Sequence, residues 1–217
     1  MLIHQIWLNK SPPPQHAADW INSCELLGEH KLWLLNDYNQ IVPETIRNSI
    51  KARFSGHTLE GIKCASDFFR LILLLEKGGC YMDVDFENIQ QPLITEQYLL
   101  KNTLKGRLNV VKPLPDRLPW NSMMWTADIG NKHLRLMFDV ALQTLNSSSN
   151  ETRAVNISGP KILSHVVKIP IAQNEVKIHN YPFVSLDNDE VFTPSNSTYF
   201  IQHQRTWRPR KELATID

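Results

Sequence analysis

Asp83 and Asp85, two acids separated by one residue, form the pattern in the chain most able to do chemistry. On a β-strand, residues i and i+2 share a face and their Cα atoms lie about 7 Å apart. Two carboxylates so placed can converge on one hard divalent cation, directly or through water. Buried on an apolar strand without such a partner, they would carry a heavy desolvation cost. The alternative is a solvent-facing strand end with two ordinary acids, and the pair alone does not separate the two readings. Upstream, Asp67 and Arg70 stand three residues apart, which puts them on one face of a helix. They read either as an i,i+3 ion pair serving the helix or as side chains directed into a cleft beside the acidic strand. In the second case the Arg70 guanidinium meets a ribose, a sugar hydroxyl or a phosphate.

The elements that must position these groups are legible around them. Residues 62–77 are apolar around most of the circumference, so they form a largely buried helix. Asp67, Arg70 and Lys77 fall on one stripe of it, with Leu74 between. Gly78 and Gly79 end the helix, because glycine readily adopts the left-handed cap conformation. A single strand is predicted over residues 80–86, with Tyr81, Asp83 and Asp85 on one face. Only two glycines join the helix to the strand, so both sets should open into one cleft. Before this block, residues 2–8 read as a buried strand, 16–27 as a helix and 31–35 as a second strand. Residues 36–39 read as a turn and 43–54 as another helix. After it, residues 110–120, with Pro113, Pro115 and Pro119, read as a loop. Residues 134–145 form an amphipathic helix, Gly159-Pro160 opens a helix to about Val167, and 176–179 is a strand. Strands alternating with helices predict an α/β sheet and one domain over 1–217.

The bulk properties exclude several classes. The chain has 217 residues, 42% hydrophobic and 21% charged, values of a folded domain rather than a disordered one. A formal net charge of +1 gives no whole-chain attraction to nucleic acid or membrane. Cys24, Cys64 and Cys80 make no CxxC or zinc spacing and read as free buried thiols of a reducing compartment. The first residues lack a secretory pattern, and no apolar run is long enough to span a bilayer. The cytoplasm is therefore the expected compartment. The chain carries no Walker loop, GxGxxG or Ser-His-Asp order.

The stretch Ala65-Ser66-Asp67-Phe68-Phe69-Arg70, then Leu73-Leu74-Leu75, then Gly78-Gly79-Cys80-Tyr81-Met82-Asp83-Val84-Asp85, resembles the DXD-containing sugar-transferase family. This is glycosyltransferase family 32, which includes mannosyltransferases and capsular or lipopolysaccharide sugar transferases and is related to the core of the clostridial glucosylating toxins. Ile3-His4-Gln5-Ile6-Trp7 resembles the family's first strand, and Ser158-Gly159-Pro160 resembles a later helix start. His203-Gln204-Arg205-Thr206-Trp207 resembles its closing H-x-x-S-W, with threonine in place of serine and the hydroxyl kept. The resemblance implies a GT-A type, Rossmann-like mixed sheet flanked by helices. It also implies a divalent metal, Mn2+ or Mg2+, and a nucleotide-sugar donor, with a UDP-sugar favoured. Transfer would retain the anomeric configuration, and the acceptor would be a glycan, a lipid-linked saccharide or a protein, as in polysaccharide biosynthesis.

By the same resemblance Trp7 stacks on the donor base, and Asp67 and Arg70 bind the donor sugar. Asp83 reaches the ribose or a metal-bound water, and Asp85 the metal, so the two acids form the metal site. Thr206 and Trp207 close over the diphosphate as part of a lid-like tail at about 198–217. Trp7 has a second reading as a core tryptophan. The basic tail has a second reading as a surface extension touching solvent or the acidic inner face of a membrane. Two other classes compete. A non-catalytic nucleotide-sugar or carbohydrate-binding module would not need two metal-positioned acids beside an arginine. A haloacid-dehalogenase-type phosphatase also uses Asp-x-Asp, but normally places threonine or valine where Glu87 stands.

Overall fold

A computed structural model describes residues 1–54, 59–112, 120–147, 153–168, 175–180, 183–186 and 200–203. Strand β1 (Ile3–Trp7) is buried along its whole length, as an apolar run inside a parallel sheet must be. It pairs in parallel with β2 (His30–Leu34) on one side and β3 (Gly79–Met82) on the other. The chain crosses to β2 through α1 (Gln15–Glu25) and to β3 through α2 (Leu35–Ile41), α3 (Glu44–Phe54) and α4 (Leu59–Lys77). The first crossover thus places β2 on one side of β1, and the second returns past β1 to place β3 on the other, which opens a crevice beyond the carboxyl ends of β1 and β3.

Strand β4 (Phe86–Asn88) and helix α5 (Pro92–Asn102) follow, then β5 (Leu108–Lys112) and β6 (Trp120–Thr126). Helices α6 (Lys132–Asn146), α7 (Ala154–Ile157) and α8 (Pro160–Val167) precede β7 (Val176–Asn180), β8 (Phe183–Leu186) and β9 (Phe200–His203). The main sheet runs β2-β1-β3-β6-β5-β7, with β6 antiparallel to both of its neighbours. A smaller sheet runs β4-β9-β8. The mixed sheet flanked by helices is the α/β architecture expected.

Helix α4 is the central packing element. Phe68, Phe69, Leu73 and Leu74 are fully buried, and the Phe69 ring meets Trp33 and Tyr38 edge-on. Truncating such a ring costs roughly 3–5 kcal/mol. Gly78 (φ 64°) caps the helix, its N–H donating to Leu74 O at 3.0 Å. Gly79 (φ 88°) admits no side chain, since a Cβ there would run into the Leu2 carbonyl oxygen. The joint is pinned from β1. Trp33 donates its indole N–H to His4 Nδ1 at 3.1 Å, so His4 donates from Nε2 to Gly78 O at 2.8 Å. Burial pushes this imidazole down to about 4, so it stays neutral.

Four sequence expectations need correction. The turn expected at 36–39 lies inside α2, because Asp37 Oδ2 accepts the Leu34 N–H at 2.9 Å and Tyr38 is buried against Phe69. The loop expected over 110–120 begins and ends as strand. Val110 and Val111 are buried in β5, and Trp120 opens β6. Its three prolines fall at 113–119, outside the described residues. The lid-like tail expected at about 198–217 opens with strand in its described residues. Residues 200–203 form β9, and Phe200 is buried against Phe86 at a ring separation of 6.0 Å.

The fourth correction concerns the acids. The strand expected over 80–86 breaks after Met82. The Asp83 N–H makes the last ladder bond, to Ser122 O at 2.8 Å, and Asp83 O then accepts the Phe86 N–H at 3.2 Å. Asp83 and Asp85 therefore flank a turn rather than sharing one strand face. The cause is topological: the chain leaves the main sheet here so that Phe86 can join the second sheet opposite Gln202.

Candidate active site

The carboxyl ends of β1 and β3 carry Trp7 and Asp83, and the buried face of α4 carries Asp67 and Arg70 beside them. Arg70 is the hub. Its Nη2 lies 3.0 Å from Asp67 Oδ1 and 3.4 Å from Asp83 Oδ1. Its Cζ stands 4.4 Å from the centroid of the Tyr81 ring, within cation–π range. Tyr81 donates its hydroxyl proton to Asp83 Oδ1 at 2.6 Å. Ser158, at the end of α7, donates to Asp67 Oδ2 at 3.0 Å. The two readings of Asp67 and Arg70 are therefore compatible: they are an i,i+3 ion pair, and they also face a cleft.

That cleft has a volume of about 220 Å³. Lys63, Asp67, Arg70 and Asp83 line it on one side, with Val155 and Pro160 from the α7–α8 corner among its other walls. It is smaller than the roughly 300–1,000 Å³ of drug-sized sites, so it suits a small polar unit rather than a whole dinucleotide-sized ligand. Gly159 lets the corner close on the acid cluster. A Cβ there would lie 2.9 Å from Val155 Cα and 3.3 Å from Asp67 Oδ2.

Charges in the cluster are set by burial against neighbours. Burial disfavours the Arg70 charge, yet Tyr81, Asp67, Asp83 and Asp85 together raise its pKa above the usual arginine value. Arg70 is a permanent cation. Asp83 goes the other way. Burial pushes its carboxyl above the ordinary range, and Arg70 and the Tyr81 hydroxyl only partly offset that. Asp85 is 1% exposed and lies within electrostatic range of Arg70.

These acids fit a divalent metal in one specific way. Among the described residues no group of three His, Cys, Asp or Glu side chains could hold a metal alone. Asp83 and Asp85 supply hard oxygen donors, and burial works against the Asp83 charge. Mg2+-like ions commonly take one or two protein carboxylates and complete their shell with substrate phosphates and water.

Trp7 ends β1, is buried, and donates its indole N–H to Ser11 O at 2.6 Å. It clusters with Ile21 and with Val84, the residue between the two acids. The core reading of Trp7 therefore describes its packing, and that packing sets it against the acidic turn. Thr206 and Trp207 lie outside the described residues. Sequence reasoning missed Tyr81 and Lys63 as members of the site. Tyr81 was findable, since it stands two residues before Asp83 on the same strand face. Ser158 entered only as part of a helix start, and its bond to Asp67 spans 91 residues of sequence.

Residues 7–105 match the family described as "Glycosyltransferase sugar-binding region containing DXD motif", a span that holds Trp7, Asp67, Arg70, Asp83 and Asp85. No curated protein matches the chain. Among solved structures it is similar to "PaToxG Glycosyltransferase", with a TM-score of 0.58 at 13% identity over 76% of this chain and 67% of that one. It is also similar to the ligand-free glycosyltransferase domain from the YGT toxin, with a TM-score of 0.52 at 10% identity over 82% of this chain and 79% of that one. At these identities the structures speak for the fold, which is of GT-A type. Over residues 7–105 the chain is similar to the glycosyltransferase family that contains the DXD motif.

Proposed function

We propose that the chain moves a sugar from a nucleotide-diphosphate sugar, a UDP-sugar in the first instance, to a glycan, lipid-linked saccharide or protein acceptor, with retention at the anomeric carbon. The observation that carries this reading is the Asp67–Arg70–Asp83 cluster, held rigid at the crevice beyond β1 and β3. A nucleotide-diphosphate leaving group concentrates negative charge on phosphate oxygens as the glycosidic bond breaks. A bound Mn2+ or Mg2+ would supply Lewis-acid stabilisation of that charge, with Asp83 and Asp85 holding it. The chain's own groups do the rest. Asp67 Oδ2, oriented by Ser158, accepts a sugar hydroxyl, and Arg70 donates to a neighbouring oxygen. Both are locked by their mutual ion pair before the substrate arrives, so little reorganisation is left for the reaction.

The donor base stacks beside Trp7, and the tail carrying Thr206 and Trp207 closes over the diphosphate. Arg205, Arg208 and Arg210 flank that tryptophan and suit a diphosphate, and closure would exclude water. Residues 1–217 act as one domain in this reading, with polysaccharide synthesis in the cytoplasm as the setting. Three free buried thiols support that compartment. The test is a panel of UDP- and GDP-sugars assayed for Mn2+-dependent donor hydrolysis. Turnover of one donor is expected. Tight donor binding with no hydrolysis and no transfer would instead make the chain a binding module.

A further inference from the structure

The outer face of α5 is apolar where a free surface helix would be polar. Leu93, Gln97 and Leu100 follow at spacings of four and three, one stripe of the helix, and Leu104 stands in the turn beyond it. Leu93 is 63% exposed, Leu100 50% and Leu104 49%, with Ile94 beside them at 43%. The opposite face already packs in the core through Thr95 and Leu99, so the exposed stripe is a second apolar face on one helix. The turn lengthens the patch. Asp128 accepts the Gly106 N–H, and next to it Ile129 is 71% exposed. Single exposed aliphatic residues are ordinary, but Leu93, Ile94, Leu100 and Leu104 within one helix and the turn that follows it mark a contact surface.

The charges at the same end select the kind of contact. Lys101 and Lys105 are exposed on either side of Leu104. Lys177 is held at the end of the helix by its bond to Asn102 Oδ1 at 3.1 Å. Of the nearby acids, Asp128 is engaged by a backbone N–H and Glu96 lies on the side facing Gly28. The patch is aliphatic and carries Lys101, Lys105 and Lys177 toward one end. A protein partner would need a complementary groove and acids, whereas an anionic lipid surface offers both an apolar boundary and negative charge to a helix lying flat.

We propose that α5 and the turn after it form an interfacial docking surface for an anionic bilayer. Leu93, Ile94, Leu100 and Leu104 enter the headgroup–acyl boundary, and Lys101, Lys105 and Lys177 meet the headgroups. The surface shares no residue with the acid cluster, so it does not depend on the proposed activity. Because α5 begins four residues after β4, docking would hold the crevice at a fixed height above the lipid.

The test is co-sedimentation of the full chain with phosphatidylcholine vesicles, with and without phosphatidylserine. The wild type should partition to the phosphatidylserine vesicles and lose most of that binding in high salt. Leu93→Gln with Leu100→Gln should abolish partition without lowering the unfolding midpoint, because both residues are exposed. Lys101→Gln with Lys105→Gln should weaken it roughly 30-fold, about tenfold or less for each lysine. No binding to anionic vesicles overturns the proposal. So does binding that both double variants leave intact, which would move the contact to another surface such as the tail. Concentration-dependent dimerisation abolished by the leucine variants, with no vesicle binding, would assign the face to a second copy instead.

Discussion

Replacing Arg70 with methionine removes the cation that lies within 4 Å of both Asp67 and Asp83 and leaves the volume of the site nearly unchanged. Both carboxylates then remain buried. Asp67 keeps its bond from Ser158, and Asp83 keeps its bond from Tyr81. Stranding a buried charge in this way costs about 3–5 kcal/mol, a large part of the roughly 5–15 kcal/mol that holds a domain folded. The expected loss in urea unfolding at pH 7 is about 3 kcal/mol. Asp83→Asn in the wild-type background should cost less than about 1 kcal/mol, because burial already works against the Asp83 charge and the amide oxygen can still accept from Tyr81. In the Arg70→Met background the same change removes a stranded charge and should return roughly 1–2 kcal/mol. The coupling also has a pH signature. Without Arg70 the folded-state pKa of Asp83 rises further above its unfolded value. The proton then stabilises the folded state, fully below the unfolded pKa and less as pH rises through the folded one. The Arg70→Met deficit should therefore shrink as the buffer is taken from pH 7 toward the acid range. Additive single and double variants, within about 0.5 kcal/mol, would refute the shared-charge account.

Other outcomes follow from local features. Gly79→Ala should cost at least about 1–2 kcal/mol in urea unfolding, since φ is 88° and the Leu2 carbonyl occupies the space; an unchanged midpoint would refute the tight joint. Burial, aided by Lys177 and Arg107, pushes His179 down to about 4, and its ring links Tyr98 at 3.0 Å to Asn109 at 2.9 Å. A depressed histidine pKa means the unfolded chain binds the proton first, so stability should fall as pH drops from about 6.5 toward 4, and less so in His179→Gln. If the tail is a lid, a UDP-sugar with Mn2+ should protect residues near 200–210 from proteolysis, and Trp207→Ala should raise KM for the donor more than it lowers stability.

Much of this architecture was readable because it is local. The apolar circumference of α4, the glycine pair and the run of β1 each depend on a few neighbouring residues, and their boundaries came out within three residues. The site was readable as residue types: Asp67, Arg70 and Asp83 do meet at one cleft. Its geometry was not, because it depends on pairings between distant residues. The break at Asp83–Asp85 is forced by a second sheet whose partner strand β9 lies more than a hundred residues away. Likewise, Val110 and Val111 in a proline-rich stretch declare themselves as strand only when β6 and β7 are beside them. The α2 turn was misread because Asn36, Asp37 and Asn39 favour turns in isolation, while Tyr38 finds a buried partner in Phe69.

The most direct test of the central claim is donor hydrolysis by the wild type and by Asp85→Asn, each measured with Mn2+ and with excess chelator, on protein shown by circular dichroism to be folded. Wild-type turnover that requires the metal, together with a folded and inactive Asp85→Asn, is the predicted result. Full turnover by folded Asp85→Asn, or by the wild type in excess chelator, would contradict a metal-assisted transfer at this site.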